Sequence, residues 1–363
     1  MKFKCERDVL AEALGAASRA STGRATNPTL SCLRLVLADE MLRITGTDGD
    51  LTIEASVLVA KPQEGVALIP AKLASDVVRS LPSGAVDVEI KDGQLKISAG
   101  KSQFSLPTGA DGDFPKWAGT IGGGATIPSA ELTVALKQVV KAASNDDARG
   151  VLTGVLVTCV DGNLRLVATD SYRLAVRDVK GKVVDEGTRV VVPARALSEL
   201  QRLLSFSDTV SINITDNDVT FEVGPIRLVT RLISGTFADY QKLIPTTSPN
   251  RLTVSRDELL EAVRRVKLVA RDPVGTPLRM KMSSDGVGLR MMSQDSGEAN
   301  EHLDGTLKGN EIEMAFNNEL LAEGVEACSS ENITIDSSEP GRLAVIRGEG
   351  DDSFIYLLMP LKS

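Results

Sequence analysis

The sequence is short of aromatic residues, nearly without histidine and without paired cysteines, and each shortage removes a class of function. Phe, Trp and Tyr together make up 3% of 363 residues. The cores must therefore be filled by Val, Leu, Ile and Ala, and the position of each aromatic becomes informative. A single histidine, His302, excludes multi-histidine metal sites; on an acidic segment it is expected to face solvent. Cys5, Cys32, Cys159 and Cys328 lie far apart and never as CxxC, which argues against a zinc site or a disulfide framework and for reduced buried thiols. No apolar run approaches the roughly 20 residues that span a bilayer. The opening MKFKCERDVL lacks the apolar stretch of an export signal. A soluble, cytoplasmic protein without a membrane partner is expected. Positive charge is also lacking: the net charge is −8 and the pI about 5.0, which by itself argues against a large basic surface for nucleic acid.

Catalytic signatures are missing as well. There is no GxxxxGK[ST], no HExxH and no GxSxG. The glycines Gly122, Gly123 and Gly124 precede an expected strand rather than a helix, so they read as a linker and not a phosphate cradle. Asp48-Gly49-Asp50 starts like a calcium loop, but the twelve-residue ligand spacing and terminal Glu do not follow. Adjacent carboxylates, Asp146-Asp147 and Asp351-Asp352, read as solvated loop residues. An enzyme is disfavoured, and no cofactor is expected.

What the chain does have is repetition. LRLVATD at 164–170 recurs as LRITGTD at 42–48 and as LRMMSQD at 289–295, at a spacing of roughly 120 residues that suits a tandem array of domains. VVVPARALSELQRLL at 190–204 matches ALIPAKLASDVVRSL at 67–81, and LTVSRDELLEAVRRV at 252–266 overlays FKCERDVLAEAL near the start. Hydrophobic spacing predicts helices over 8–20 and 131–143 and up to Leu81, Leu204 and Val266, with a last one after Asn317; alternating runs between them predict strands, including 101–106, 151–160 and 354–359. Each unit thus reads β-α-βββ-β-α-βββ, over 1–120, 125–246 and 250–363. Two helices per unit, each burying one stripe on paired antiparallel sheets, make this an α+β fold.

ATDSYRLAV at 168–176, SGTFADYQKLIP at 234–245 and YLLMPLK at 356–362, set in this threefold repeat, resemble the bacterial replication sliding clamps, the beta subunits of the replicative polymerase. The resemblance runs the whole length. It implies three tandem DNA-clamp domains, closed by a head-to-tail homodimer into a ring around duplex DNA without regard to sequence. The implied partners are the replicative polymerase alpha subunit, the clamp loader, repair polymerases, ligase and mismatch-repair proteins, each bound through a short linear peptide.

The charge pattern bears on this. The first five helices carry more Lys and Arg than Asp and Glu within an acidic chain, whereas the sixth, with Glu319, Glu323 and Glu326, runs against the trend. By the resemblance, Lys72, Arg79, Lys137, Lys141, Arg195, Arg202 and Arg265 face DNA, with Arg24 at the channel rim; ordinary solvated faces are the other reading. A weakly basic lining suits a mobile ring, because every neutralised phosphate tightens binding.

The resemblance also implies a peptide groove formed by Leu152, Thr169, Ser171, Tyr172, Arg173, Leu174, Lys242, Leu243, Asn317, Leu357, Met359, Pro360 and Leu361. Its Leu, Met and Pro residues would supply an apolar floor, and Arg173 and Asn317 would fix polar parts of the peptide. For Leu357 and Met359 a buried terminal strand is the competing reading. The chain departs from the family pattern in two places, TDSYR for TDGHR and Ala238 where the FPDY pattern has proline. Phe104 and Leu106 of the first unit resemble dimer-interface positions that pack near Leu268 and Val269 of the partner's third unit, or else they pack within their own subunit. Two other functions remain open: a peptide-binding adaptor without DNA, and a hydrolase using loop carboxylates.

Overall fold

The computed structural model describes residues 1–21, 27–109, 111–115, 122–270, 276–293 and 295–361. Arg24, Lys362 and, between the first two modules, residues 110 and 116–121 lie outside the described residues. The first module runs β1 (Lys2–Glu6), α1 (Arg7–Ser18), β2 (Cys32–Ala38), β3 (Met41–Thr47), β4 (Leu51–Leu58), β5 (Ala60–Gln63), β6 (Gly65–Pro70), α2 (Ala71–Ser80), β7 (Ala85–Lys91), β8 (Gln94–Ala99) and β9 (Ser102–Pro107). The second runs β10 (Ala125–Pro128), α3 (Ser129–Val139), β11 (Gly154–Val160), β12 (Asn163–Thr169), β13 (Arg173–Val179), β14 (Arg189–Pro193), α4 (Ala194–Leu203), β15 (Thr209–Ile214), β16 (Asp218–Val223) and β17 (Ile226–Arg231). The third runs β18 (Asn250–Ser255), α5 (Arg256–Val266), β19 (Leu278–Ser283), β20 (Gly286–Ser293), β21 (Gly297–Leu303), β22 (Gly305–Lys308), β23 (Ile312–Phe316), α6 (Asn318–Ala327), β24 (Asn332–Ser337), β25 (Ala344–Gly348) and β26 (Phe354–Leu358).

The repeated order is the expected one, with three local differences. The chain crosses between sheets after β4 and after β21, so short strands β5 and β22 pair with β1 and β18. The strand expected from residue 151 starts at Gly154, because Asp147–Thr153 coils into 3-10 turns that break at Gly150. The helix expected through residue 143 ends at Val139 and tightens into a 3-10 turn over Val140–Ala142.

Two compact units form, and they cut across the modules: residues 1–133 with 195–232, and residues 134–194 with 233–363. In the first unit, β5-β1-β7-β8-β9 make one antiparallel sheet and β10-β15-β16-β17-β4-β3-β2-β6 a second. The second sheet crosses a module seam at β17 and β4, where Leu228 lies opposite Ile53. In the second unit, β14-β11-β12-β13-β26-β25-β24-β18-β22 form a nine-stranded sheet and β21-β20-β19-β23 a smaller one. Here the seam is β13 and β26, with Leu174 opposite Leu357. Strands such as LTIEASVL of β4 alternate buried and half-buried residues, so one face enters the core.

One position of the LRxxxxD repeat shows how closely a helix can seat on its sheet. The fifth position is Gly46, Ala168 or Ser293, always small. At Gly46 the backbone of α1 lies so close that a Cβ would be 2.0 Å from the Ala17 carbonyl oxygen. A similar close approach occurs at α6, where a Cβ on Gly324 would be 2.4 Å from two ring carbons of the buried Tyr356. Gly324→Ala is expected to cost roughly 1–3 kcal/mol by overpacking, measured as a lower urea midpoint for the full chain; an unchanged midpoint would show that α6 yields freely.

Candidate functional site

The corner between β12 and β13 is built by side-chain hydrogen bonds. The Thr169 hydroxyl donates to the Arg173 carbonyl at 2.5 Å and accepts from the Ser171 N–H at 3.1 Å. One Asp170 carboxylate oxygen accepts from the N–H groups of Tyr172 and Arg173. Thr47 and Asp48 make the same set in the first module, so the repeated Thr-Asp is a turn device. Ser171 sits at φ 76, where the first module has Gly49 at φ 102. In the second module this corner lifts Tyr172 into solvent, 59% exposed.

Beneath Tyr172 the three motif segments meet. Leu174, Phe237, Tyr240 and Leu357 are buried in one cluster with Leu156, Val167, Val176, Val191 and Val345. Ile233, Ile244, Leu343 and Ile355 pack on it half-buried. Around it stand Leu243, 50% exposed, and Met359, 46% exposed, while Leu152, Pro360 and Leu361 are half-buried. The Met359 N–H donates to the Tyr172 carbonyl at 2.9 Å, which ties this segment to the corner, and the Leu361 N–H donates to the Ala315 carbonyl of β23 at 2.8 Å. Exposed apolar side chains over a filled apolar floor form a surface suited to another apolar side chain. Leu174 and Leu357 are the closed base of this surface, so a buried terminal strand holds for Leu357 and not for Met359.

Two residues expected to touch a ligand do other work. Successive residues of a strand face opposite ways, so Arg173 lies across the sheet from Leu174. Its guanidinium is buried, donating to Asp170 at 3.0 Å, to Glu323 and to the Lys141 carbonyl. Burial would lower the pKa of this guanidinium, but Tyr356 and Glu323 beside it hold it raised; burial raises that of Tyr356, which stays a neutral phenol donating to the Leu320 carbonyl. Arg173 thus supports the corner from behind. The Asn317 side chain accepts from the N–H groups of Glu319 and Leu320 and caps α6. Lys242 is exposed and pairs with Asp239 at 2.9 Å, which lowers the pKa of that carboxyl.

Arg149 is not legible in the sequence, since the loop that carries it has no periodic pattern. Its guanidinium donates to the Asp170 carbonyl and lies 5.9 Å from the centre of the Tyr172 ring, placing a cation beside the exposed aromatic. Phe237 and Tyr240 are legible as motif residues, but their place in the floor is not.

On the helices, the expected DNA-facing residues Lys72, Arg79, Lys137, Lys141, Arg195, Arg202 and Arg265 are exposed. Most are already answered by carboxylates: Arg195 by Asp48 at 2.6 Å, Arg202 by Glu199 at 2.6 Å, Lys141 by Glu326 at 3.2 Å, Arg79 by Asp76 at 4.0 Å, and Arg265 by Glu301 at 2.8 Å. Among the described residues, Lys72 and Lys137 have no carboxylate within ion-pair distance. Of the expected interface residues, Leu268 is 84% exposed, Phe104 38% exposed and Val269 half-buried. Leu106 is buried in its own sheet opposite Leu95, so for Leu106 packing within the subunit is what the structure shows. Both β9 and β21 are edges of their sheets. No group of His, Cys, Asp or Glu able to hold a metal occurs among the described residues, and no helix among them is long and apolar enough to cross a membrane.

Comparison with known proteins gives a consistent result. Residues 1–118, 126–239 and 241–362 match the N-terminal, central and C-terminal domains of the DNA polymerase III beta subunit family. The chain is 30% identical to the beta sliding clamp of Streptomyces coelicolor, covering 100% of this chain and 99% of that one. It is 29% identical to that of Escherichia coli K12, covering both completely. The crystal structure of the Bacillus subtilis DNA polymerase sliding clamp superposes with a TM-score of 0.94 at 26% identity, over 100% of this chain and 99% of that one. A Bartonella birtlesii sliding clamp bound to griselimycin does so with a TM-score of 0.94 at 29% identity over the whole of both.

Proposed function

The chain belongs to the DNA polymerase III beta subunit family, the beta sliding clamps, and on that footing we propose that two copies join head to tail in a ring that slides on duplex DNA. As in the rest of the family, its role is that of a non-catalytic processivity subunit. The groove residues Tyr172, Leu243 and Met359 receive short linear peptides from the polymerase alpha subunit, the clamp loader, repair polymerases, ligase and mismatch-repair proteins. The observation that carries this reading is the meeting of the three motif segments, which sets those exposed side chains over the floor of Leu174, Phe237, Tyr240 and Leu357. The domains span 1–120, 125–246 and 250–363, and the cytoplasm is the compartment.

The charge on the helices fits sliding. Lys and Arg side chains already engaged by Glu and Asp contribute little net attraction per phosphate, so the ring is retained by closure and not by tight binding. A ring that slides touches phosphates and reads no base edge. The open edge of β9, with Phe104, and the exposed Leu268 beside the edge strand β21 supply the contact between copies; antiparallel strand addition plus an apolar plug is a common way to join sheet edges.

The test is retention. Loaded with clamp loader and ATP onto a nicked circular duplex, the protein is expected to stay bound through gel filtration and to leave when the circle is cut. Leu268→Lys, which puts a charge on the contact, is expected to sediment as a monomer and to lose that retention at least tenfold. Retention that survives linearisation, or a dimer that ignores the substitution, would contradict the ring.

A further inference from the structure

Helix α6 is fastened along one face. Leu320, Glu323 and Ala327 follow helical spacing, and each accepts a hydrogen bond from a different element. The Leu320 carbonyl takes the Tyr356 hydroxyl of β26 at 2.8 Å, the Glu323 carboxylate takes Arg173 of β13, and the Ala327 carbonyl takes the Gln138 amide of α3 at 2.8 Å. Between them Gly324 lets the Tyr356 ring lie against the helix backbone. Just past the end of α3, Lys141 adds an ion pair to Glu326 at 3.2 Å.

One guanidinium joins this face to the corner under Tyr172. The Arg173 Nε donates to one oxygen of Asp170, whose other oxygen accepts the N–H groups that build the corner. Its two remaining nitrogens go to Glu323 and to the carbonyl of Lys141, in the tightened turn after α3 where helical carbonyls run out of N–H partners. The Tyr172 carbonyl in turn holds the Met359 N–H, so two rim residues depend on the same corner. Packing beside the guanidinium is close: the cavity between it, Gln138 and Glu326 is about 10 Å3, the room of one water. A shift of α6 therefore moves Arg173 instead of being taken up by slack.

We propose that Glu323, across the sheet from the groove, is a positioning residue for it: through Arg173 it fixes the corner that presents Tyr172 and Met359. The proposal rests on the peptide groove read above and deepens it. The coupling runs both ways, because whatever a fixed corner adds to peptide affinity, a bound peptide returns to the seating of α6. A peptide in the groove thus tightens the joint between the second and third modules, where β13 meets β26.

Calorimetry of the full-length protein with a synthetic peptide carrying the clamp-binding segment of a polymerase alpha subunit tests this. Glu323→Ala is expected to weaken the peptide about tenfold, and Glu323→Gln, which keeps a neutral acceptor for Arg173, about threefold, because a hydrogen bond to a charged group is the stronger. Members of one network do not act independently, so on top of Arg173→Ala the Glu323→Ala change is expected to cost less than about a further twofold. With Met359→Ala, whose side chain lies outside the network, the two losses are expected to multiply to about a hundredfold. A general loosening of the fold would multiply in both backgrounds. Hydrogen exchange supplies the reverse reading: saturating peptide is expected to slow the amides of residues 320–327 by about threefold or more. Full multiplication with Arg173→Ala, an affinity unchanged by Glu323→Ala, or exchange in α6 indifferent to the peptide would each overturn the positioning role while leaving the groove intact. A wild-type protein that takes no peptide at all would overturn the groove itself.

Discussion

Met359→Ala is expected to weaken a polymerase-derived clamp peptide about tenfold, a loss of roughly 1.4 kcal/mol typical of one apolar contact, with the thermal transition unmoved. Arg173→Ala is expected to weaken the same peptide about a hundredfold and to lower stability by about 2–3 kcal/mol. The contrast follows from where the two side chains go. Met359 is half exposed on the rim, where the proposed peptide would lie against it. Arg173 is buried, and its guanidinium joins Asp170, Glu323 and the Lys141 carbonyl. Removing it leaves a half-buried Asp170 without its counter-ion and frees the turn that presents Tyr172. Breaking a buried pair by deleting one partner costs about 3–5 kcal/mol; the lower figure here allows for the solvent that reaches Glu323. Arg173→Lys is expected to rescue neither property, because one ammonium cannot reach three acceptors held in a fork. Calorimetry and a urea titration on the three variants separate lining from support. A peptide affinity lowered by Arg173→Ala at wild-type stability would mean that Arg173 touches the peptide after all.

The second large effect is at Gly46. A methyl group there would be 2.0 Å from the Ala17 carbonyl oxygen and 2.9 Å from its carbon. Both are backbone atoms of the segment that ends α1, so no side-chain rotation relieves the overlap, and the helix must lift from β3. Helix α1 buries Leu10, Ala13, Leu14 and Ala17 against the first module, and lifting it uncovers them. Gly46→Ala is expected to cost about 3 kcal/mol or more, at the top of the range for overpacking, and Gly46→Val to prevent folding of the unit that contains it. Limited proteolysis is expected to cut first within residues 1–133. Wild-type resistance in Gly46→Ala would show that α1 rides loosely enough on β3 to make room for a methyl group.

Much of this is legible in the sequence because repetition multiplies weak signals. A single LRxxxxD is an ordinary strand ending in a turn, whereas three at domain spacing announce modules, and the turn role of Thr47-Asp48 and Thr169-Asp170 follows once both are seen. Strand and helix order comes through because apolar alternation in β4 and helical spacing in α1 reflect burial on one face. The pairing of modules does not: nothing in β17 says that β4 will be its neighbour, since any exposed antiparallel edge of suitable length would serve. The direction of Arg173 is hidden for a related reason. A motif places a residue in a turn, but its facing is set by strand parity, and parity depends on where β13 begins. Asn317 misleads because a polar residue ahead of a helix looks the same whether it caps or binds. Arg149 needs the fold, because it meets Tyr172 across a gap in sequence with no pattern on either side.

The two seams, β17 against β4 and β13 against β26, are ladders of backbone hydrogen bonds, while β9 and β21 end their sheets with one side unpaired. A pull on the molecule loads many bonds at once along a seam and few at a free border. Any machine that parts the proposed circle to admit DNA would therefore find its hinge and clasp where β9 meets the neighbouring copy, and the joints inside each chain would stay shut.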